Sequence, residues 1–204
     1  FTFLLKYDPD QNAVLYAKQY ESTSSNFGQF LIEKGPGGNY LICNNVSAPN
    51  DAELIEVDRN TGLINPAFSK HYHLGSSETL HEMVLHNGGL YSTGRFSDGG
   101  TTANMRNTLI KLDPTDGTAE WIKLGHRPGN VTARLYGVDL AIDQDRIYSV
   151  SHGDPNGTEI GNEELFIQKT TLTGQTEWVK RYQLPTPDDV ADELIATGDG
   201  FVVM

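Results

Sequence analysis

The most polar connection in the sequence runs Ser151-His152-Gly153-Asp154-Pro155-Asn156-Gly157-Thr158-Glu159, and its Asp154, Asn156 and Glu159 offer the hard oxygen ligands that Ca²⁺ takes. The spacing does not match the twelve-residue calcium loop, so the competing reading is a solvated turn built from turn formers. His71 and His73 stand two apart in a strand-like run, which puts both imidazoles on one side, with His81 and His86 close by in sequence. Zinc takes such ligands, but no third ligand is fixed by the spacing. The acid pairs Asp188-Asp189 and Asp192-Glu193 could perform acid–base work if buried opposite each other. Pro185, Pro187 and the run of like charge instead mark a solvated connection. Asn-x-Ser/Thr sequons at Asn45, Asn130 and Asn156, each in a loop-like setting, are N-glycosylation acceptors on a secretory route. The sequence holds no Gly-x-Ser-x-Gly elbow, Walker phosphate loop or His-Glu-x-x-His helix.

Charge and composition limit the partners of such sites. With 27 acidic against 15 basic residues the formal net charge is -12, which repels a phosphate backbone and excludes nucleic acid as a partner. Cys43 is the only cysteine and sits in the apolar run Tyr40-Leu41-Ile42-Cys43, so no internal disulfide forms and the thiol reads as packing. No apolar stretch reaches the ~18 residues needed to cross a bilayer, and no charged segment with an apolar run behind it opens the chain. Direct membrane insertion is therefore not expected. Phe1 in place of Met, and an ending within the strand-like Phe201-Val202-Val203-Met204, read as a processed or excerpted piece of a longer polypeptide or assembly.

The elements that must position these side chains repeat. Leu4-Leu5-Lys6-Tyr7-Asp8-Pro9 recurs as Leu54-Ile55-Glu56-Val57-Asp58, as Leu109-Ile110-Lys111-Leu112-Asp113-Pro114, and more weakly as Phe166-Ile167-Gln168-Lys169-Thr170. Each copy alternates like a strand with one buried face and then meets a turn. Four residues after Asp8, Asp58, Asp113 and Thr170 stand Asn12, Gly62, Gly117 and Gly174, the residue types that tolerate a positive φ. Four further on come the aromatics Tyr16, Trp121 and Trp178, with Pro66 as the exception in the second copy. A third and a fourth strand follow, joined by the hairpin chemistry of Gly37-Gly38-Asn39, Asn87-Gly88-Gly89, Asp143-Gln144-Asp145 and Gly198-Asp199-Gly200. Four modules result, at about 1–53, 54–108, 109–164 and 165–204. No segment shows a helical period.

A four-stranded sheet of this size cannot bury both faces alone, whereas radial stacking buries each face on a neighbour. The expected fold is therefore all-β, a β-propeller of four-stranded antiparallel blades forming one domain or a fragment of a larger ring. The run Asp113-Pro114-Thr115-Asp116-Gly117-Thr118-Ala119-Glu120-Trp121 resembles the blade motif of quinoprotein-like propellers, and Leu165 through Trp178 to Met204 is similar to bacterial secreted propeller repeats. The resemblance implies structural blade roles for Asp8, Asp58, Gly62, Asp113, Gly117, Trp121, Gly174 and Trp178, with the tryptophan docking blade to blade. The phase of the repeat implies three whole blades between two half blades, which either pair to close a four-bladed ring or belong to a larger ring. Quinoprotein dehydrogenases hold their cofactor under a vicinal cysteine pair, which a lone Cys43 cannot supply, so the resemblance carries fold and not activity.

Because blade construction accounts for the aromatic, glycine and acidic landmarks, the expected function is a non-catalytic, secreted or cell-surface scaffold for protein or glycan contacts. It needs no cofactor unless Ca²⁺ occupies the Asp154 loop. The rival expectation is a fragment of a propeller enzyme, a quinoprotein-like oxidoreductase or a glycan-active hydrolase or lyase, with its site at the ring centre.

Overall fold

The computed structural model describes residues 2–20, 30–33, 38–46, 51–73, 77–97, 105–125, 135–153, 164–183, 190–197 and 200–204, and these residues form strands and turns with no helix. β1 (Thr2–Asp8) and β2 (Ala13–Tyr20) form a two-stranded sheet. A four-stranded sheet follows, of β3 (Phe30–Glu33), β4 (Tyr40–Val46), β5 (Asp51–Val57) and β6 (Ile64–Tyr72). The next comprises β7 (Ser77–His86), β8 (Gly89–Ser97), β9 (Met105–Leu112) and β10 (Ala119–Leu124), and the third β11 (Tyr136–Asp143), β12 (Arg146–Gly153), β13 (Glu164–Thr171) and β14 (Thr176–Tyr182). A two-stranded sheet of β15 (Leu194–Ala196) and β16 (Phe201–Val203) comes last. Within each sheet, neighbours in sequence are neighbours in space and run antiparallel, so every joint is a local hairpin. Each four-stranded sheet thus takes two strands from each of two successive sequence modules.

The turns after β1, β5, β9 and β13 show why the repeat has its landmarks. The Asp8 Oδ1 accepts the amides of Asp10 and Gln11, and the Asp58 Oδ1 accepts those of Asn60 at 3.0 Å and Thr61 at 2.8 Å. Asp113 does the same for Thr115 at 2.7 Å. Each aspartate satisfies turn amides that no strand partner can reach. The chain then reverses through positive φ at Asn12 (50°), Gly62 (66°), Gly117 (73°) and Gly174 (81°). The fourth turn opens on Thr171 and not on Thr170. The Gly174 amide bonds the Thr171 carbonyl, as Gly62 bonds Asp58 and Gly117 bonds Asp113, while Thr170 is fully buried at the place Val57 and Leu112 hold.

Past each turn a β-bulge re-aims the outer strand, so that Tyr16 lies opposite Lys6, Trp121 opposite Lys111 and Trp178 opposite Lys169. The second sheet keeps its aromatic but displaces it. Its register jumps from Val57–Ile64 to Ile55–Ser69, and the wider bulge, tied by Asn65 Nδ2 to Glu56 Oε2 at 3.1 Å, sets Phe68 where Pro66 was expected to break the pattern. Phe68 is only 2% exposed.

Aromatics of the outer strands, Trp121 among them, dock sheet to sheet. The Tyr20 hydroxyl donates to the Gly62 carbonyl at 2.7 Å, the Tyr72 hydroxyl to the Gly117 carbonyl at 2.7 Å, and the Trp121 Nε1–H to the Leu172 carbonyl at 3.2 Å. An outer strand is thereby tied to the turn of the following sheet three times over. Between the sheets lie apolar layers, the largest built from Leu41, Leu54, Phe68, Leu80, Met83, Leu90, Ile110 and Leu112, and Cys43 is fully buried within it. Burial drives the Cys43 thiol pKa far up, aided by Glu53, so the sulfur serves as packing. The first strands also meet: β7 lies against β3, β4 and β5, β11 against β7, β8 and β9, and β15 against β11.

Candidate functional site: an acidic cleft on the first strands

Where β7, β11 and the approach to β15 converge there is an open cleft of about 560 Å³, lined by His81, Glu82, Val138, Asp139, Leu140, Asp192, Glu193 and Leu194. Two bulges make it. The β7–β8 register shifts between Leu80 and Glu82, and the β11–β12 register between Gly137 and Asp139, so the alternation of each strand is broken at the residues that face the cleft. A backbone approach lies beside it, because a Cβ on Gly137 would stand 2.3 Å from the Gly94 carbonyl oxygen.

Asp139 anchors the cleft wall. Its Oδ1 accepts the Leu140 amide at 2.6 Å and its Oδ2 the Leu194 amide at 2.5 Å, stitching β11 to β15. Burial raises its pKa, those two amides pull it back, and Glu193 pushes it up again. Glu82 is raised in the same sense, first by burial, against the Met83 amide, and then by Asp139 and Glu193. His81 goes the opposite way, to about 4, because burial disfavours its cation and Arg95 and His152 repel it. At neutral pH the imidazole is uncharged, its Nε2 2.9 Å from the Thr79 hydroxyl, and the described lining residues carry acidic groups with no Lys or Arg among them. Among the described residues no serine, threonine or cysteine lines the cleft. Such a surface can hold a positively charged group, and its carboxylates are of the kind that also serve as nucleophiles or general acids and bases.

A second cluster of titratable groups lies at the ends of β5, β6 and β7. His73 Nδ1 is 2.7 Å from Asp51 Oδ1, and Glu78 brings a third ligand atom, all within 4.8 Å of one another. One rung along, His71 Nε2 is 3.4 Å from Glu53 Oε1. The Asp51 hydrogen bond, then its charge, raise the His73 pKa.

The sequence candidates separate accordingly. His71 and His73 do share a side, each facing a carboxylate across the β5–β6 pair, while His86 sits at the β7–β8 turn with its Nε2 3.0 Å from Asn87 Nδ2. Asp192 and Glu193, read as a solvated loop, are indeed exposed and outside any strand, and they line the cleft. Asn45 is not in a loop: its backbone pairs with Ala52 inside the β4–β5 ladder. The calcium candidates Asp154, Asn156 and Glu159, the sequon at Asn130, and Asp188-Asp189 lie outside the described residues. Sequence reasoning missed Glu82, Asp139, Asp51 and Glu78 as site residues. The broken alternation around Glu82 and Asp139 was a visible signal, but their convergence depends on strands more than fifty residues apart.

Antiparallel sheets that stack face to face with their first strands adjoining make this an all-β, propeller-like fold. No family model matches the sequence, and no curated protein sequence matches it. Among solved structures the chain is similar to two of puromycin hydrolase. One aligns at a TM-score of 0.54 with 14% identity, covering 88% of this chain and 27% of that one. The other aligns at 0.53 with 15% identity and the same coverage, 88% and 27%. The likeness is one of fold, and the chain spans about a quarter of the length of those proteins.

Proposed function

We propose that this chain is a run of blades from a β-propeller of more than four blades, and that it acts as a rigid, non-catalytic binding module of a secreted or cell-surface protein. The observation that carries the binding role is the cleft on the first strands, where Glu82, Asp139, Asp192 and Glu193 converge beside a neutral His81. An acidic, partly desolvated cleft selects cations, because charge pairs strengthen as water is withdrawn. A protein segment presenting Lys, Arg or an amino terminus therefore fits it better than a neutral glycan. The ring reading is supported by β1–β2 and β15–β16, which form separate two-stranded sheets among the described residues, and by the fold likeness to a much longer chain.

The test is calorimetric titration with short basic peptides and neutral oligosaccharides. The expected result is salt-sensitive binding of the peptides, weakened about tenfold by Glu82→Gln together with Glu193→Gln. Binding of an oligosaccharide with no peptide binding would overturn the cationic reading.

A second reading, that the module belongs to a hydrolase, draws on the fold shared with puromycin hydrolase. Turnover of a peptide or amide panel by the longer protein, lost in Glu82→Gln, would favour it over the scaffold.

A further inference from the structure

The site assembled by Asp51, His73 and Glu78 goes beyond the cleft and its cationic ligand. We propose that these three residues bind a divalent transition metal ion, with zinc the best fit.

Geometry comes first. The ligand atoms lie at three different strand ends but within 4.8 Å of one another, so side-chain rotations that open the 2.7 Å Asp51–His73 contact and draw Glu78 in bring them to the spacing around one tetrahedral ion with ~2.0–2.2 Å bonds. Three protein ligands, one imidazole and two carboxylates, leave a fourth position for water, as in open zinc sites. The nitrogen-bearing set favours zinc over Ca²⁺ or Mg²⁺, which take oxygen ligands.

The electrostatics point the same way. Asp51 is 6% exposed and Glu78 3%, so two carboxylates are taken out of water side by side. A dication held by both carboxylates brings more positive charge to the pair than a protonated His73 does. His73 has its side chain 63% exposed, which gives an ion a path from solvent to the buried pair. His71 and Glu53 form the adjacent rung on the same side, placing a second imidazole–carboxylate pair next to the first.

The ligands come from two sheets. Asp51 opens β5, His73 follows β6 and Glu78 lies at the start of β7, so bound metal would clamp one sheet to the next at a joint that apolar packing and the Tyr72 hydroxyl also hold.

The experiment uses the tag-free chain and zinc or cobalt alone. Zinc is expected to raise the thermal midpoint at 1:1 stoichiometry. Co²⁺ is expected to give visible d–d bands without a thiolate charge-transfer band, since Cys43 is buried elsewhere. His73→Ala, at an exposed position, leaves the apo fold intact and weakens zinc binding by about 10-fold or more; Glu78→Gln has the same effect. His86→Ala serves as the control and leaves binding unchanged. Zinc affinity unaltered in both His73→Ala and Glu78→Gln, or no binding by the unmodified chain, would overturn the proposal.

Discussion

A histidine among carboxylates ordinarily gains basicity from them, yet His81 is held to about 4. Burial removes the water an imidazolium needs, and Arg95 and His152 add repulsion. The consequence for stability has a defined sign. Above pH 6.5 the ring is neutral in both folded and unfolded chains. As pH falls toward 4 the unfolded chain takes up a proton that the folded one refuses, so stability is lost across that window, by about 3 kcal/mol. Urea unfolding at pH 7 and pH 4 should show that loss in the unmodified chain and a clearly smaller one in His81→Gln. An equal loss in both would place the acid sensitivity elsewhere. His73 behaves in the opposite sense. Its pKa is raised by the Asp51 hydrogen bond, so what it contributes is present below pH 6.5 and fades as pH rises through the elevated value. NMR titration should find His73 above 6.5 and return it toward that value in Asp51→Asn.

At the level of strands and turns, the repeat was legible because its chemistry is local. An aspartate, three intervening residues and a glycine describe one turn wherever they occur, and Gly62 and Gly117 hold the backbone that spacing asks for. What escaped were the insertions: the wide bulge that moves the second aromatic to Phe68, and the shorter turn that starts at Thr171, change register without changing residue types. The cleft was illegible for a related reason, since bulges at Leu80/Glu82 and Gly137/Asp139 decide which side chains face it, and no local pattern announces which strands will meet. Substitution can separate local turn strain from inter-sheet packing. Alanine at Gly88 meets no atom within 4 Å and should cost only the positive-φ strain of about 1 kcal/mol. At Gly117 the added Cβ would also come within 2.8 Å of Lys70 on the neighbouring sheet, so Gly117→Ala should lower the denaturation midpoint further than Gly88→Ala. Tyr72→Phe removes the donor to the same Gly117 carbonyl and should cost about 1–2 kcal/mol in chemical unfolding.

For the molecule as a whole, stacking treats one face of each sheet as the cover of the next. Ile55 and Val57, then Ile110 and Leu112, lie on the face that packs against the preceding sheet, and all four are 4% exposed or less. Their counterparts on β1 are Leu5 and Tyr7, which with Phe3 are 50%, 47% and 60% exposed, next to Val14 and Leu15 on β2. An apolar sheet face of this kind drives association when nothing packs on it. The 204-residue chain on its own should therefore self-associate in a concentration-dependent way during sedimentation velocity. Replacing Leu5 and Tyr7 together by glutamate should leave it monomeric with an unchanged far-ultraviolet circular dichroism spectrum, because neither side chain supports the layer built on Leu4, Tyr20 and Val57. If the unmodified chain sediments as a monomer at every concentration, the face is not a stacking surface, and the equivalence drawn between β1 and β5 fails with it.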